Sequence, residues 1–468
     1  MKLTMARKIS YFTLLLPVLL LSLWLRLLLI DGGGQYYWPD ENRYLQSRKA
    51  TAALISGDYR EVAGYLYSPD HFLFKVFMVI PALAEYRLGT NPRIPAYFLA
   101  LVSTLNIWLL WQVARRTGSP PREAFIVAAI FAASNSFFYY SRHLLPYDLS
   151  TTFLFLSLLV AVRKPASRMS MLICGVAGGS AVLIYNGYWA TAVFILFLPG
   201  ARPSTGIWGF LRRTFLVGVG FFLPFLMIHL AYYAVGFGSG WLRQLVAFSG
   251  TVVQGSFSEG WRLPWEYLWH SEHFLLFIWC ASLGWALWSL KSHRPPPRVL
   301  LGVSGVIVIY LLLVLFSTVL HKFVVYGRVS RQLIPFFCIL AGYQAEKLLS
   351  QGRKFRTAAL VAGGIILVQA AYNFSSSLKQ TFPREFLTRA GNYLLVAEKD
   401  NFALIHARHI FPEDSLEIQI TPVKTVLRES HPLEFLPYQY EGYNQEQRRR
   451  LRSGDIGMRL VIYSPETE

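Results

Sequence analysis

Carboxylates and cations are concentrated in a few short polar stretches that separate long apolar runs. The first of these, IDGGGQYYWPDENRYLQSRK at residues 30–49, contains the adjacent carboxylates Asp40 and Glu41. A carboxylate within hydrogen-bond reach of a hydroxyl can act as a general base, and arginine or lysine can stabilise negative charge on a departing phosphate. The catalytic candidates are therefore Asp40, Glu41 and a third carboxylate, Asp148. Residues that could bind a substrate are Asp70, His71, Lys75, Arg142, His143, Lys322, Arg328 and Arg331.

Simpler roles compete for several of these residues. Asp40 and Glu41 precede a helix-like run, so they could cap that helix and complement its dipole, and the same role is open to Asp70. Arg328 and Arg331 could be arginines at a membrane boundary whose head groups reach the interface. A cap explains Asp148 poorly, because the apolar run continues beyond it. Ionisable groups at that depth are costly and usually mark a site or a substrate path.

The elements that carry these residues are predicted to be membrane-spanning helices. The chain has 468 residues, of which 54% are hydrophobic and only 15% are charged, whereas soluble domains carry about 25% charged residues. The apolar windows predict eleven spans, at residues 11–30, 95–113, 124–140, 145–162, 170–185, 187–200, 214–235, 273–290, 299–320, 331–348 and 357–374. The first has no small-residue cleavage site after it and is expected to be a retained signal anchor. The segment 72–86 is short and partly charged, which favours an interfacial helix.

The distribution of charge orients these spans. If 72–86 does not cross the membrane, every short loop on one side is basic, which the positive-inside rule expects of the cytoplasmic side. The N-terminus is then cytoplasmic, and residues 31–94, 236–272 and 321–330 lie on the outer face together with the tail. The net charge of +19 therefore reflects topology and does not indicate a nucleic-acid partner.

The last 90 or so residues differ in character from the rest. Residues 1–375 are predicted to form one membrane module whose first outer loop is 31–94. Residues 376–468 are mixed in charge and alternate like strands in FALIHAR, LEIQITPV and MRLVIY. This pattern predicts a small extracytoplasmic α/β domain at the C-terminus.

Four stretches resemble one family of membrane enzymes. LWLRLLLIDGGGQYYWPDENRYLQSRKA is similar to the opening of GT-C type glycosyltransferases, in the branch of protein O-mannosyltransferases and aminoarabinose transferases. There, an apolar span with a late arginine is followed by an outer-loop Asp-Glu motif. YSPDHFLFKVFMVIPALAEYRLG, FAASNSFFYYSRHLLPYDLSTTFLFLSLLV and GRVSRQLIPFFCILAG resemble later elements of that family. The order and spacing of the four stretches carry the resemblance.

The resemblance implies roles for the candidate residues. The donor would be a sugar on a polyprenyl phosphate, used from the outer leaflet. Asp40 would be the catalytic base, supported by Glu41, with Asp148 where some members place a second acidic residue. By position, Arg142 and His143 lie at the matching turn, and Arg328 and Arg331 would meet the lipid phosphate.

The sequence also departs from the family pattern. Asp70 and His71 stand where the family usually has His-Pro or Lys-Pro, and Gln332 replaces a common tyrosine. Some relatives use a divalent metal ion and others do not. Oxygen and nitrogen atoms of Asp40, Asp70, His71 and Asp148 could ligate such an ion, although no spacing here is diagnostic of a metal site.

The function expected from residues and resemblance together is an integral membrane glycosyltransferase of the bacterial inner membrane. It would transfer one sugar, with inversion, from the lipid carrier to a hydroxyl of a glycan, lipid or protein outside the cytoplasm. The main alternative is a transporter or flippase of lipid-linked saccharides, although the internal repeats frequent in transporters are not visible. A structural scaffold would leave the carboxylates near the membrane boundary unexplained.

Overall fold

The structure is a computed structural model that describes residues 11–31, 35, 41, 43–89, 91, 93–162, 167–199, 206–254, 261–290, 295–321, 327–379, 415–422, 430–433 and 456–463. Its α-helices are α1 Tyr11–Asp31, α2 Arg43–Ser56, α3 Tyr59–Leu66, α4 Phe72–Phe77, α5 Val79–Leu88, α6 Arg93–Arg116, α7 Pro121–Ala132, α8 Asn135–Tyr139, α9 Tyr147–Ala161, α10 Arg168–Ile184, α11 Trp189–Phe197, α12 Gly206–Tyr232, α13 Gly240–Gln254, α14 Leu263–Glu272, α15 Phe274–Ser289, α16 Pro297–Val314, α17 Ile334–Ser350 and α18 Arg353–Lys379. Short 3-10 helices cover Tyr140–Arg142, Asn186–Tyr188 and Gly327–Leu333. The strands are β1 Ser415–Pro422, β2 Ser430–Leu433 and β3 Ile456–Tyr463.

The apolar windows of the sequence all lie on helices. Within the described residues, 5 helical stretches are long and apolar enough to cross a membrane, or 6 if the bent pair α7 and α8 counts as one span. Further apolar helices, such as α9 and α10, have 10–17 residues. The chain is thus a multi-pass, helical membrane protein, and the total of eleven spans stays a prediction. The segment 72–86 forms α4 and α5, of 6 and 10 residues, each well short of the roughly 20 residues that a span needs.

The predicted span at 124–140 is not one continuous helix, because the chain bends by 61° between α7 and α8. The bend falls at Ser134, which precedes the first residue of α8 and has an extended backbone. Glu272 at the end of α14 stabilises the bend. Its carboxylate accepts hydrogen bonds from the backbone N–H groups of Asn135 (3.0 Å) and Ser136 (2.9 Å) and from Ser134 Oγ (2.7 Å). These bonds satisfy the N–H groups that start α8.

Helices α10 and α12 approach each other through glycines. A Cβ atom on Gly179 would lie 2.1 Å from the carbonyl oxygen of Phe221, and one on Gly220 would lie 2.2 Å from the carbonyl oxygen of Leu172. Only glycine permits this backbone contact. Small residues of this kind let membrane helices pack closely where lipid supplies no hydrophobic driving force.

The helix connections gather at two ends of the bundle. At one end Arg122 pairs with Glu346 (2.5 Å) and Arg298 pairs with Glu123 (2.7 Å), in loops predicted to be cytoplasmic. At the other end lie the end of α1, the turn at 140–147, and the segment 327–333. The candidate residues that the structure describes are at this second end, which we call the polar end. The side of the membrane that it faces stays a prediction.

The described part of the tail is a three-stranded antiparallel sheet in the order β1-β3-β2. Two of the three strand predictions, LEIQITPV and MRLVIY, coincide with β1 and β3. FALIHAR lies outside the described residues, and so does any helix of the predicted α/β domain. Helix α18 runs to Lys379, slightly past the predicted boundary at 375.

Candidate active site

The acidic motif is anchored through Glu41. This side chain is fully buried, and its carboxylate bonds to the turn at 140–147. His143 Nδ1 lies 3.0 Å from Glu41 Oε1, and the backbone N–H of Leu144 donates to Oε2 at 2.7 Å. Glu41 therefore ties the segment before α2 to the turn before α9, which a helix cap would not do. Asp40, the predicted base, lies outside the described residues.

Asp148 and Arg331 form a buried ion pair. Asp148 lies in the first turn of α9 and is only 4% exposed, and Arg331 is fully buried. Arg331 Nη2 donates to Asp148 Oδ1 at 2.7 Å. The guanidinium of Arg331 also lies over the rings of Phe137, at 4.3 Å, and Tyr140, at 5.0 Å. An arginine whose head group reaches the membrane interface would be exposed. The burial of Arg331 therefore excludes that simpler role.

The remaining donors of Arg331 are unused by the described residues. Its Nε and Nη1 atoms are buried and have no hydrogen-bond partner there. A buried guanidinium with unsatisfied donors is costly. Such a cost is tolerated where a ligand completes the bonds, and a phosphate or carboxylate matches the fork of an arginine.

A cluster of tyrosines joins the candidate residues. Tyr147 contacts Tyr140 at 5.4 Å and Tyr185 at 4.8 Å between ring centroids. Arg328 lies over the ring of Tyr147 at 5.7 Å, and His71 stacks on Tyr185 at 5.3 Å. Segments that are far apart in the chain thus meet on one aromatic surface. We call Tyr140, Tyr147, Tyr185 and Tyr188 the tyrosine cluster.

Asp70, His71 and Lys75 form a second polar group with Arg43 of α2. Arg43 pairs with Asp70 Oδ2 at 2.6 Å, and His71 Nδ1 bonds to Asp70 Oδ1. Burial raises the pKa of the Asp70 carboxyl, but His71 and Arg43 outweigh it and hold that pKa well below its ordinary value. Lys75 Nζ donates to the carbonyl of Ser68 at 2.7 Å. The carboxylate of Asp70 is thus engaged with cations and does not act as a simple helix cap.

The pKa of Lys75 is lowered to about 8, first by its burial, with Asp70 opposing and Arg43 adding to the change. A buried ammonium loses solvation that neighbouring charges only partly replace. Lys75 can therefore lose its proton at mildly alkaline pH.

Arg142 is placed differently from a residue that contacts substrate. Its guanidinium is fully buried and donates to the carbonyl oxygens of Leu29 (2.8 Å) and Ser377 (3.4 Å). These carbonyls belong to the last turns of α1 and α18, whose final C=O groups lack partners within the helix. Arg142 thereby joins both helix ends to the turn that carries His143. Lys322 lies outside the described residues.

Two further residues shape the site that were not among the catalytic or substrate-binding candidates. Arg26 of α1 is buried among helices, where it donates to Ser103 Oγ (3.1 Å) and to the carbonyl of Phe137 (3.3 Å). The sequence feature that could have identified Arg26 is its position inside an apolar run, because a charged residue there is costly and usually has a functional partner. Gln332 accepts hydrogen bonds from the backbone N–H (3.0 Å) and hydroxyl (2.7 Å) of Thr191, which fixes the start of α11 to the segment that carries Arg331.

The described side chains include no group of three or more His, Cys, Asp or Glu that could hold a metal ion. Of the residues suggested as ligands, Asp148 is paired with Arg331, and Asp70 is paired with His71 and Arg43. Asp40 is not among the described residues. A metal requirement therefore stays a prediction.

Solved structures share this architecture. ArnT from Cupriavidus metallidurans, in a crystal structure bound to undecaprenyl phosphate, matches with a TM-score of 0.54 at 15% identity, over 85% of this chain and 69% of ArnT. The apo oligosaccharyltransferase from Archaeoglobus fulgidus matches with a TM-score of 0.51 at 11% identity, over 86% of this chain. The fold is that of the GT-C transferases.

The resemblance drawn from the sequence motifs is thus confirmed at the level of the fold. This chain spans 60% of the length of the archaeal enzyme, less than two thirds. No family model matches the sequence, and no curated protein matches it significantly. At these identities the likeness describes the fold alone.

Proposed function

We propose that the protein is a glycosyltransferase that moves one sugar from a polyprenyl phosphate to a hydroxyl group of an acceptor. The observation that carries the proposal is the buried Asp148–Arg331 pair, whose arginine has two unused donors at the polar end of a GT-C fold. Arginine is well suited to bind the phosphate of a lipid carrier, and in this proposal the side chains around Arg331 move to admit the donor, because the cavity beside it holds only about 10 Å³. The undecaprenyl phosphate bound to ArnT is consistent with that ligand class.

The proposed reaction is a single displacement with inversion at the anomeric carbon. Asp40 accepts the proton of the acceptor hydroxyl as its oxygen attacks the anomeric carbon and forms the new C–O bond. The bond from that carbon to the phosphate oxygen breaks, and its electron pair leaves with the phosphate. Arg331, Arg328 and Lys322 stabilise this negative charge.

Glu41 and His143 position the base in this proposal. Glu41 follows Asp40 directly in the chain, and its carboxylate is held by His143 and the backbone of Leu144. A base must lie within hydrogen-bond reach of the proton that it removes, and small displacements are costly. Arg142 contributes by fixing the turn that carries His143, which is a positioning role and not a contact with the donor.

The second polar group, Asp70, His71 and Lys75, is proposed to bind the sugar or the acceptor. His71 joins it to the tyrosine cluster through Tyr185. The polar end is proposed to face the outer side of the bacterial inner membrane, because the loops at the opposite end carry the basic residues. The acceptor would be a glycan, lipid or protein in that compartment.

The test uses the purified full-length protein in sealed proteoliposomes with radiolabelled polyprenyl-phosphate sugars and a membrane extract as acceptor. Asp40→Asn is compared with wild type, and donor binding is measured separately. We expect transfer to be lost while donor binding persists, because the amide cannot take up the proton. The matched control is Asp58→Asn, since Asp58 caps α3 by accepting from the N–H of Glu61 at 2.9 Å and asparagine caps equally well.

Two outcomes would overturn the proposal. Equal transfer by Asp40→Asn and wild type would remove Asp40 from the reaction. If no donor is turned over, but lipid-linked sugar changes leaflet at the same rate in both proteins, the flippase alternative would replace the transferase.

A further inference from the structure

A second cavity lies between α2 and α5, apart from the tyrosine cluster. It encloses 450 Å³ and is lined by Leu45, Arg48, Lys49, Ala52, Ala82 and Tyr86, among others. None of these residues belongs to the candidate active site. A space of this size holds a headgroup-sized ligand.

The charges around this cavity are unequal. Arg48 and Lys49 are its cations, and Glu85 is the carboxylate among its lining residues. Glu85 is buried and already engaged, because it accepts from the hydroxyl of Tyr44 (2.5 Å) and from the backbone N–H of Asn91 (2.8 Å) and lies 3.5 Å from Arg48 Nε. Lys49 is exposed. Glu85 therefore offsets part of the charge of Arg48, and Lys49, whose ammonium lies 5.8 Å from the ring of Tyr65, supplies the remaining positive charge to an anionic ligand.

The walls and surroundings of the cavity are apolar. Leu45, Ala52 and Ala82 line it, and Tyr86 presents a ring that is 61% exposed. Leu83 and Leu88, on the two flanks of α5 beside this face, are also exposed. An apolar surface beside a basic cavity favours a ligand that has both a phosphate and hydrocarbon chains.

We propose that this cavity binds the phosphate headgroup of an anionic membrane lipid, with Arg48 and Lys49 contacting the phosphate and the exposed apolar face of α5 contacting the acyl chains. Basic pockets at membrane boundaries attract anionic headgroups, with each Lys or Arg contributing on the order of 1 kcal/mol. Free phosphate shares the headgroup chemistry but would leave the apolar face unused. The proposal does not depend on the transferase reaction.

The experiment measures lipid retention by the full-length, delipidated protein in detergent, using native mass spectrometry. The added lipids are dimyristoyl phosphatidylglycerol and dimyristoyl phosphatidylcholine, which have the same chains, and inorganic phosphate is added as a competitor. We expect wild type to bind phosphatidylglycerol in preference. The variant Arg48→Gln/Lys49→Gln should bind it about 30-fold more weakly, from the loss of about 2 kcal/mol.

Two further variants separate the cavity from general surface charge. Arg60→Gln/Arg243→Gln removes two exposed arginines outside the cavity and should leave retention unchanged. Ala52→Phe fills the cavity without altering charge and should weaken retention. Because Arg48 lies near Glu85 and its loss could impair folding, Lys49→Gln alone is measured too, and it should weaken binding by about fivefold, from the loss of about 1 kcal/mol.

Several outcomes would overturn the proposal. They are equal retention of the two lipids, equal loss in the Arg60→Gln/Arg243→Gln control, or normal retention by both Lys49→Gln and Ala52→Phe. Displacement of phosphatidylglycerol by millimolar inorganic phosphate would replace the lipid by a free anion.

Discussion

The buried pair of Asp148 and Arg331 makes a quantitative prediction about stability. Asp148→Asn retains an oxygen that can accept from Arg331 but removes the compensating charge. Arg331 is fully buried, and two of its donors have no partner among the described residues, so little else there offsets its charge. Breaking a buried pair by removing one partner costs about 3–5 kcal/mol. We expect the free energy of unfolding of Asp148→Asn to fall by that amount.

An exposed ion pair of the same end provides the control. Asp31 at the end of α1 lies 3.6 Å from Arg93 and is more than half exposed. Pairs of this kind contribute about 1 kcal/mol or less, so Asp31→Asn should change stability little. Both variants are unfolded by titration with sodium dodecyl sulfate in detergent micelles and followed by circular dichroism.

A double variant separates stability from chemistry. Asp148→Leu/Arg331→Met removes both charges, and a buried ion pair replaced by hydrophobic residues of similar volume is often tolerated. We expect its stability to return to within about 1 kcal/mol of wild type, while sugar transfer stays abolished because Arg331 no longer meets the phosphate. If Asp148→Asn costs no more than Asp31→Asn, the burial argument is refuted. If the double variant transfers sugar normally, Arg331 does not hold the donor.

Three further predictions concern packing, positioning and pH. Gly179→Ala should lower the unfolding free energy in the same titration, because the new Cβ would overlap the carbonyl of Phe221, whereas Gly364→Ala on α18, with open space around it, should not. Glu41→Gln should slow transfer on the order of 100-fold through misplacement of the base, measured per folded protein. Lys75 is charged below pH 8 in both the folded and the unfolded protein. As the pH rises it loses its proton first in the folded protein, where its pKa is about 8, compared with 10.5 in the unfolded chain. Wild type should therefore gain up to about 3 kcal/mol over Lys75→Met between pH 7.5 and 10.5.

Each of these predictions has an opposing result. Equal stability of the two glycine variants would contradict the close approach of α10 and α12. A normal rate with Glu41→Gln would remove its positioning role. A stability difference between wild type and Lys75→Met that does not change with pH would contradict the lowered pKa of Lys75.

Much of the helical framework could be predicted from the sequence. Backbone polar groups must be paired within the segment in lipid, so long apolar runs form helices, and each predicted window lies on one. The bend at Ser134 was missed because its stabilising partner, Glu272, is more than 130 residues away in the chain. An apolar window in the sequence reflects only the length and composition of one segment, so it cannot predict a contact with a distant residue.

The candidate site was predictable only as a set of residue types near one end of the bundle. Asp148 lies in the first turn of α9, where the continuing apolar run did not reveal a helix start, and its partner Arg331 lies 183 residues later. Arg142 and His143 are neighbours in sequence, yet one side chain faces two helix ends and the other faces Glu41. Such directions depend on the 3-10 turn at Tyr140–Arg142 and are invisible in the sequence.

The groups around Arg331 stabilise its buried charge before a donor binds. Arg331 would be prohibitively costly alone, and Asp148 compensates its charge through a single bond to Nη2. The faces of Phe137 and Tyr140 further stabilise the cation without occupying its hydrogen bonds. A phosphate bound at Nε or Nη1 would leave the bond from Nη2 to Asp148 intact. The cavity beside Arg331 holds only about 10 Å³, so the side chains that line it must move before a phosphate can enter.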